Sequence, residues 1–295
     1  MSPVNNAEAA KQRRVAYSLA AGATMSLVGA EADAQIVWST VQNIAIDAGG
    51  ALTLELNGDD PYYSDSDLIL KNYVFDNGPY QGMTVRYAPG RVVGFRAGSG
   101  NYAYATALTA GAVIDATTTG AGDVFFGSMA YGELNPNAQF NEAPSAFLGV
   151  GFPILNQIHY GWVRVTVDNA AGVFVVRDWA YNATAGAPIA AGQVAGDFNG
   201  DGVVDAADYT VWRDTEGSNT DLRADADADG VIGAGDYAAW AEDYGFSAYE
   251  FDAAPAASTI PEPATLGLLA CGAAGLGVLR RHRSAGVTPS ESNAP

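Results

Sequence analysis

Oxygen-bearing side chains alternate along the stretch GDFNGDGVVDAADYTVW, between residues 196 and 212. They are Asp197, Asn199, Asp201, Asp205 and Asp208. Carboxylates crowded in this way repel one another, and a bound cation removes the repulsion. The spacing therefore predicts a metal site built from hard oxygen ligands.

The positions of these residues match a calcium loop of the EF-hand kind, in which oxygen ligands occupy positions 1, 3, 5, 7, 9 and 12. Gly202 stands at position 6, where such loops turn sharply, and Val203 offers its backbone carbonyl at position 7. Asp205 binds at position 9, directly or through a water, and Asp208 closes the loop at position 12.

A second loop follows 28 residues later, with Gly230 at position 6. Its predicted ligands are Asp225, Asp227, Asp229, the carbonyl of Val231, and Asp236. Position 9 is Gly233, where only a water can serve. The expected cofactor is two Ca²⁺ ions, and we expect tighter binding in the first loop because it has one more protein ligand.

The repeat continues into the segments after the loops, since Asp208-Tyr209-Thr210-Val211-Trp212 matches Asp236-Tyr237-Ala238-Ala239-Trp240. Two loop-helix units predict a pseudo-twofold pair with one small core. Residues 197–246 resemble the type I dockerin module, which implies a cohesin-like surface protein as partner. In dockerins, loop positions 10 and 11 choose that partner. Here they are small, Ala206-Ala207 and Ala234-Gly235, so a calcium-stabilised spacer stays open as an alternative.

Short β-like segments fill residues 35–191, separated by turns rich in Gly, Asn, Asp and Pro. HYGWVRVTV and VFVVRDW flank the turn Asp168–Gly172 and predict an antiparallel hairpin. The expected fold is mainly β: a β-sandwich of jelly-roll type, a linker at 192–196, and then the small α-helical calcium module.

The β-region offers no recognisable catalytic motif, and we assign no catalytic residue. His159 is a lone strand histidine, more typical of packing than of catalysis. A glycoside hydrolase would need two facing carboxylates, for which the candidates are Glu55, Asp115, Asp123, Glu133 and Glu142. A polysaccharide-binding protein would need exposed aromatic side chains, for which the candidates are Tyr62, Tyr63, Tyr80, Tyr102 and Tyr104. Both stay open as alternatives to a non-catalytic role.

Both ends of the chain resemble export signals. Residues 1–34 join a basic flank to an apolar run and end in Ala32-Asp33-Ala34, which is typical of a signal peptide cut by signal peptidase. After a linker at 247–260, residues 261–283 combine Pro261-Glu262-Pro263, an apolar run at 264–279 and a basic cluster, followed by a tail at 284–295. This segment resembles the PEP-CTERM sorting signal, which implies a transient transmembrane helix and processing by an exosortase.

Charge limits the expected partners, and cysteine content limits the expected cross-links. The formal net charge is −19, with Lys11 and Lys71 as the two lysines, so nucleic acid is not an expected partner. A single cysteine, Cys271, excludes an internal disulfide framework. The sequence therefore predicts an exported protein of the cell envelope, cell surface or extracellular matrix, stabilised by calcium and used in docking or assembly.

The two signals predict the mass of the mature protein. We expect material from the cell envelope to begin at Gln35 and to lack the segment after Pro263, because signal peptidase and an exosortase remove the two ends. Intact-mass measurement checks this, and a mass that includes Met1 or Arg283 contradicts it.

Overall fold

The computed structural model of the chain describes residues 35–58, 67–141, 143 and 145–250. This region is mainly β, with short 3-10 helices at Gly132–Leu134 and Gln139–Asn141. Its α-helices are α1 (Ala116–Ala121), α2 (Ala206–Thr215) and α3 (Ala234–Asp243). Its strands are β1 (Ile36–Trp38), β2 (Ile44–Ala45), β3 (Gly50–Leu54), β4 (Leu68–Phe75), β5 (Gly78–Val85), β6 (Arg91–Val92), β7 (Gly94–Ala97), β8 (Tyr102–Ala105), β9 (Val113–Ile114), β10 (Phe126–Ala130), β11 (Ser145–Ile154), β12 (Gln157–Asp168), β13 (Val173–Asn182) and β14 (Ile189–Ala190).

Two six-stranded sheets make up most of the region. The first has the order β1-β13-β12-β11-β6, with β2 also paired to β13. The second has the order β3-β4-β5-β10-β8-β7, in which β10 and β8 run parallel while the other pairs are antiparallel. A small third sheet pairs β14 with β9.

The sheets share one large core. Leu54, Leu70 and Met83 of the second sheet pack in the same buried cluster as Val163 and Trp179 of the first. Two sheets that bury a common apolar layer are the arrangement expected of a sandwich. The jelly-roll connectivity stays a prediction.

The hairpin of β12 and β13 confirms the antiparallel pairing expected from its sequence, with Val163 opposite Trp179. Val163, Val165 and Val167 face the large core, as their alternation indicates. Trp162 and Arg164 lie on the other face of the sheet and are nevertheless buried. Another layer must therefore cover this second face.

Residues 191–250 supply a large part of that layer. Phe147 and Trp162 of the first sheet share a second buried cluster with Phe198, Trp240 and Phe246. The Trp162 indole packs 6.2 Å from the ring of Phe246, and its Nε1 donates to the Gln193 carbonyl at 3.0 Å. The α-helical region is therefore held against the sheet by an apolar contact as well as by chain connection.

Parts of both segments expected as linkers take part in this packing. Val194, within 192–196, and Ala248, within 247–260, are almost fully buried. The Ala248 amide also donates to the Gly202 carbonyl at 2.8 Å.

A buried ion pair fixes the same interface. Arg164 on β12 pairs with Asp178 on β13 through two hydrogen bonds, one of them from Nε to Oδ1 at 2.8 Å. Its Nη1 donates to the carbonyls of Ser247 at 2.6 Å and Glu250 at 2.9 Å. The guanidinium also lies 5.1 Å from the centre of the Phe246 ring. The Arg164 guanidinium therefore links strands β12 and β13 to residues 247–250.

Removing this cation should strongly destabilise the protein. We expect Arg164→Met to lower the free energy of unfolding by about 3–5 kcal/mol, because Asp178 is left buried without its counter-charge. The matched control is Arg177→Met, since Arg177 is half-exposed and bonds to Thr166 and Asn43; we expect it to cost less than about 1 kcal/mol. Denaturant unfolding measures both, and equal losses would contradict the role given to Arg164.

Candidate metal centre

The first acidic loop is organised around Asp197. Its carboxylate accepts hydrogen bonds from the amides of Gly200 at 2.9 Å, Asp201 at 3.1 Å and Gly202 at 2.9 Å. Gly200 and Gly202 have φ angles of +73° and +82°, which glycine adopts without a steric penalty. The chain therefore curls around the side chain at position 1.

The far end of this loop begins α2. Asp205 caps the helix by accepting the Ala207 amide at 2.6 Å. The fully buried carboxylate of Asp208 accepts the amides of Asn199 at 3.0 Å and Asp205 at 2.8 Å. The residues predicted for positions 3, 9 and 12 are thus brought into one hydrogen-bonded unit by the start of the helix.

The second loop gathers its carboxylates more closely. Asp225, Asp227 and Asp229 each place one carboxylate oxygen within 4.8 Å of the others. Among the described residues, no group of three carboxylates in the first loop meets that distance. Asp225 Oδ2 accepts the Gly230 amide at 3.0 Å, whereas its Oδ1 is buried and has no donor. A buried carboxylate oxygen that accepts no hydrogen bond is suited to bind a cation. This loop therefore has the oxygen ligands that Ca²⁺ prefers.

The backbone of the second loop repeats that of the first. Ala228 and Gly230, at positions 4 and 6, have φ angles of +58° and +81°. Asp236, at position 12, is fully buried and accepts the amides of Ala226 at 2.7 Å and Gly233 at 2.6 Å. The amides of Val203 and Val231 donate to Asp201 and Asp229 at 2.9 and 2.8 Å.

The two units are joined by reciprocal hydrogen bonds. The Trp212 indole donates to the Gly233 carbonyl at 2.8 Å, and the Trp240 indole donates to the Asp205 carbonyl at the same distance. Each tryptophan thus holds position 9 of the other unit's loop. Val204 and Ile232, at position 8 of the two loops, likewise pair with the backbone just after the other unit's helix. The repeat read from the sequence therefore corresponds to a twofold hydrogen-bonding pattern.

Two carboxyl groups in each loop have raised pKa values. Burial raises the pKa of Asp197, Asp208, Asp225 and Asp227, and repulsion from neighbouring carboxylates raises it further, against the lowering effect of amide hydrogen bonds. Keeping these groups ionised costs folding free energy. A divalent cation would offset that cost.

Most of the carboxylates and aromatic residues proposed for sugar chemistry lie apart from one another. Asp115 caps α1 by accepting the Thr118 amide, Asp123 pairs with Arg91, and Glu55 is buried. His159 is buried with Nδ1 2.9 Å from the Asn182 carbonyl oxygen. Glu133 lines a surface cleft, Tyr80 is half-buried, Tyr102 is exposed and Tyr104 is buried. Tyr62, Tyr63 and Glu142 lie outside the described residues.

One family model matches the chain: the PEP-CTERM protein-sorting motif covers residues 259–283. No curated protein matches the chain, and no solved structure matches it. The sorting signal expected from the sequence is therefore confirmed. The protein is exported, processed by an exosortase, and located at or near the cell envelope and surface. The resemblance of 197–246 to a dockerin stays a prediction.

None of the helices in the described part of the chain has the length and apolar character needed to span a membrane. The transmembrane helix predicted at 264–279 lies outside that part, as do the signal peptide at 1–34 and the tail at 284–295.

Asp243, which the sequence analysis did not select, is the last residue of α3 and is buried against the start of the first loop. Its Oδ2 accepts the Gly196 amide at 2.7 Å. Burial raises the pKa of this carboxyl to about 7. The group therefore titrates near neutral pH while it holds α3 to the residue before Asp197.

The raised pKa of Asp243 predicts that the free energy of unfolding depends on pH. Because its pKa is higher in the folded state than the ordinary 3.8, the folded state is relieved of a buried charge as pH falls below 7. In chelator, we expect wild type to gain about 1 kcal/mol per pH unit relative to Asp243→Asn between pH 7 and pH 5. The amide keeps a hydrogen-bond acceptor and cannot ionise. Denaturant unfolding at several pH values tests this, and a pH-independent difference between the two proteins would contradict it.

Proposed function

We propose that this exported surface protein is a β-sandwich that carries a dockerin-like module with two calcium ions, used for docking or assembly in the envelope or extracellular matrix. The first ion would be held by Asp197, Asn199, Asp201, Asp205, Asp208 and the Val203 carbonyl. The second would be held by Asp225, Asp227, Asp229, Asp236 and the Val231 carbonyl. Calcium would supply the charge that lets these oxygens lie together.

The second loop carries the proposal. Three carboxylate oxygens lie within 4.8 Å of one another, and Asp225 Oδ1 is buried without a donor. The small residue at position 11 makes room for this cluster, since a Cβ on Gly235 would lie only 1.7 Å from Asp227 Oδ2. In a turn that is only solvated, carboxylates gain nothing from lying this close together, and one of their oxygens need not be buried.

The docking role is supported by the exposed face of the module. Positions 10 and 11 of both loops are exposed: Ala206, Ala207, Ala234 and Gly235. These are the positions that the dockerin resemblance assigns to partner choice. They lie at the start of α2 and α3, so the geometry of each loop also sets the direction of the helix that presents them.

Calorimetric titration of the full-length chain tests the metal sites. We expect two calcium ions to bind with dissociation constants of about 0.1–1 mM, the range typical of extracellular sites, and Asp201→Ala and Asp229→Ala each to remove one. Asp214→Ala is the matched control, because Asp214 is exposed on α2, outside both loops, and pairs with Arg213. We expect it to keep both sites.

The thermal unfolding temperature gives an independent readout. Calcium at about one hundred times its dissociation constant should stabilise the folded state by about 2.7 kcal/mol per site, and a chelator should reverse the change. Absence of binding heat together with an unfolding temperature indifferent to chelator would refute the calcium proposal.

A further inference from the structure

A cleft of about 380 Å³ opens in the β-region, where three turns meet. Asn77 comes from the turn between β4 and β5, Pro79 from the start of β5, and Asn169 from the turn between β12 and β13. Tyr131, Glu133 and Leu134 come from the segment after β10. The volume lies within the range of small-molecule sites. None of the proposed calcium ligands lines it, so the cleft is independent of the metal proposal.

A chain of buried amides fixes the Asn169 side of the cleft. Asn169 Nδ2 donates to the Pro79 carbonyl and to Gln81 Oε1, both at 2.7 Å. Gln81 in turn donates to Asn72 Oδ1 at 2.7 Å, and Asn72 donates to the Ile46 carbonyl at 2.8 Å and the Gly172 carbonyl at 2.7 Å. Gln81 and Asn72 are fully buried. With its amide nitrogen held in this way, Asn169 Oδ1 points towards Gly132, where an added Cβ would lie 3.5 Å away.

The opposite side of the cleft is equally constrained. Asn141 Oδ1 accepts the amides of Tyr131 at 3.2 Å and Gly132 at 3.1 Å. Its Nδ2 donates to the carbonyls of Gly132 at 3.1 Å and Asn135 at 3.0 Å. One side chain thus holds the whole turn, including Gly132 at a φ of +52°. A site whose walls are fixed before binding loses little conformational freedom when a ligand enters.

An aromatic side chain is held in the same cleft. The Tyr131 ring contacts Tyr80 at 5.5 Å and Phe75 at 5.9 Å, both edge to face. Phe75 is 49% exposed, although it is large and apolar. Aromatic rings held rigidly at a surface offer apolar contact area at a low entropic cost.

The polar groups of the cleft select the kind of ligand. Glu133 and the Oδ1 atom of Asn169 accept hydrogen bonds, and the Asn77 amide both donates and accepts. None of the described residues that line the cleft is Lys or Arg, so an anionic ligand would meet Glu133 without a counter-charge from them. Acceptors beside an aromatic ring match a ligand with many hydroxyl donors and an apolar C–H face. We propose that this cleft binds a neutral saccharide.

The test is a titration of the full-length chain with neutral oligosaccharides built from glucose, xylose, mannose or galactose, followed by calorimetry and ligand-observed NMR. An acidic hexamer of galacturonate serves as the charge control. We expect saturable binding of at least one neutral probe and none of the acidic one. We expect Tyr131→Ala and Glu133→Ala each to weaken that binding by about tenfold.

Glu133→Ala and Leu155→Ala separate a loss of binding from a loss of folding. Glu133 is exposed, so its replacement does not threaten the fold. Leu155→Ala is the matched apolar control, because Leu155 is 88% exposed in the turn between β11 and β12, at the opposite end of β12 from Asn169. We expect it to bind like wild type. Failure of all neutral probes to bind, equal binding of the acidic hexamer, or unchanged binding by both cleft variants would overturn the proposal.

Discussion

The buried charge of Arg164 is the constraint on which the arrangement of the described chain depends. A guanidinium removed from water must have its N–H groups paired, and Asp178 satisfies only part of them. The remaining donors reach the carbonyls of Ser247 and Glu250, more than 80 residues away in the sequence. The end of the loop-helix region must therefore return to the first sheet. This requirement explains why the segment after α3 is packed and not free.

Apolar packing also holds the segment after α3 against the first sheet. Phe246 lies between Trp38 and Trp162 of the first sheet, with ring centroids 5.0 and 6.2 Å away, while Trp240 belongs to the same buried cluster. A module of about 50 residues has little core of its own. By sharing a cluster with the sheet it gains apolar burial that it could not supply alone. The two acidic loops are consequently built on a large, rigid support.

The parts of the structure that the sequence could predict are those governed by local spacing. The hydrogen-bonded turn that runs from Asp197 to Asp208, the β12–β13 hairpin, and the tyrosine and tryptophan repeat all depend on residues within a few positions of one another. The burial of Trp162 and Arg164 could not be predicted, because it depends on residues 80 positions away that cover the second face of the sheet. The short helix α1 was also missed, since its sequence ATTTGA has no apolar period and only the capping pair of Asp115 and Thr118 marks it. The cleft escaped detection because its residues come from three separate turns.

The two acidic loops pose a problem that the shared core does not solve. Residues 197–252 contain fifteen acidic residues and two arginines, and both arginines pair with neighbours on the exposed surface. Apolar contact with the sheet adds stability but leaves this repulsion in place, because the cation at the interface, Arg164, is already paired with Asp178. Protonation relieves it only where pKa values are raised, as at Asp197 and Asp225. The divalent ion proposed for each loop would neutralise the carboxylates while they stay ionised. The support from the sheet and the proposed neutralisation by calcium would therefore be complementary: the sheet fixes where the loops lie, and the ion would determine how stable they are there.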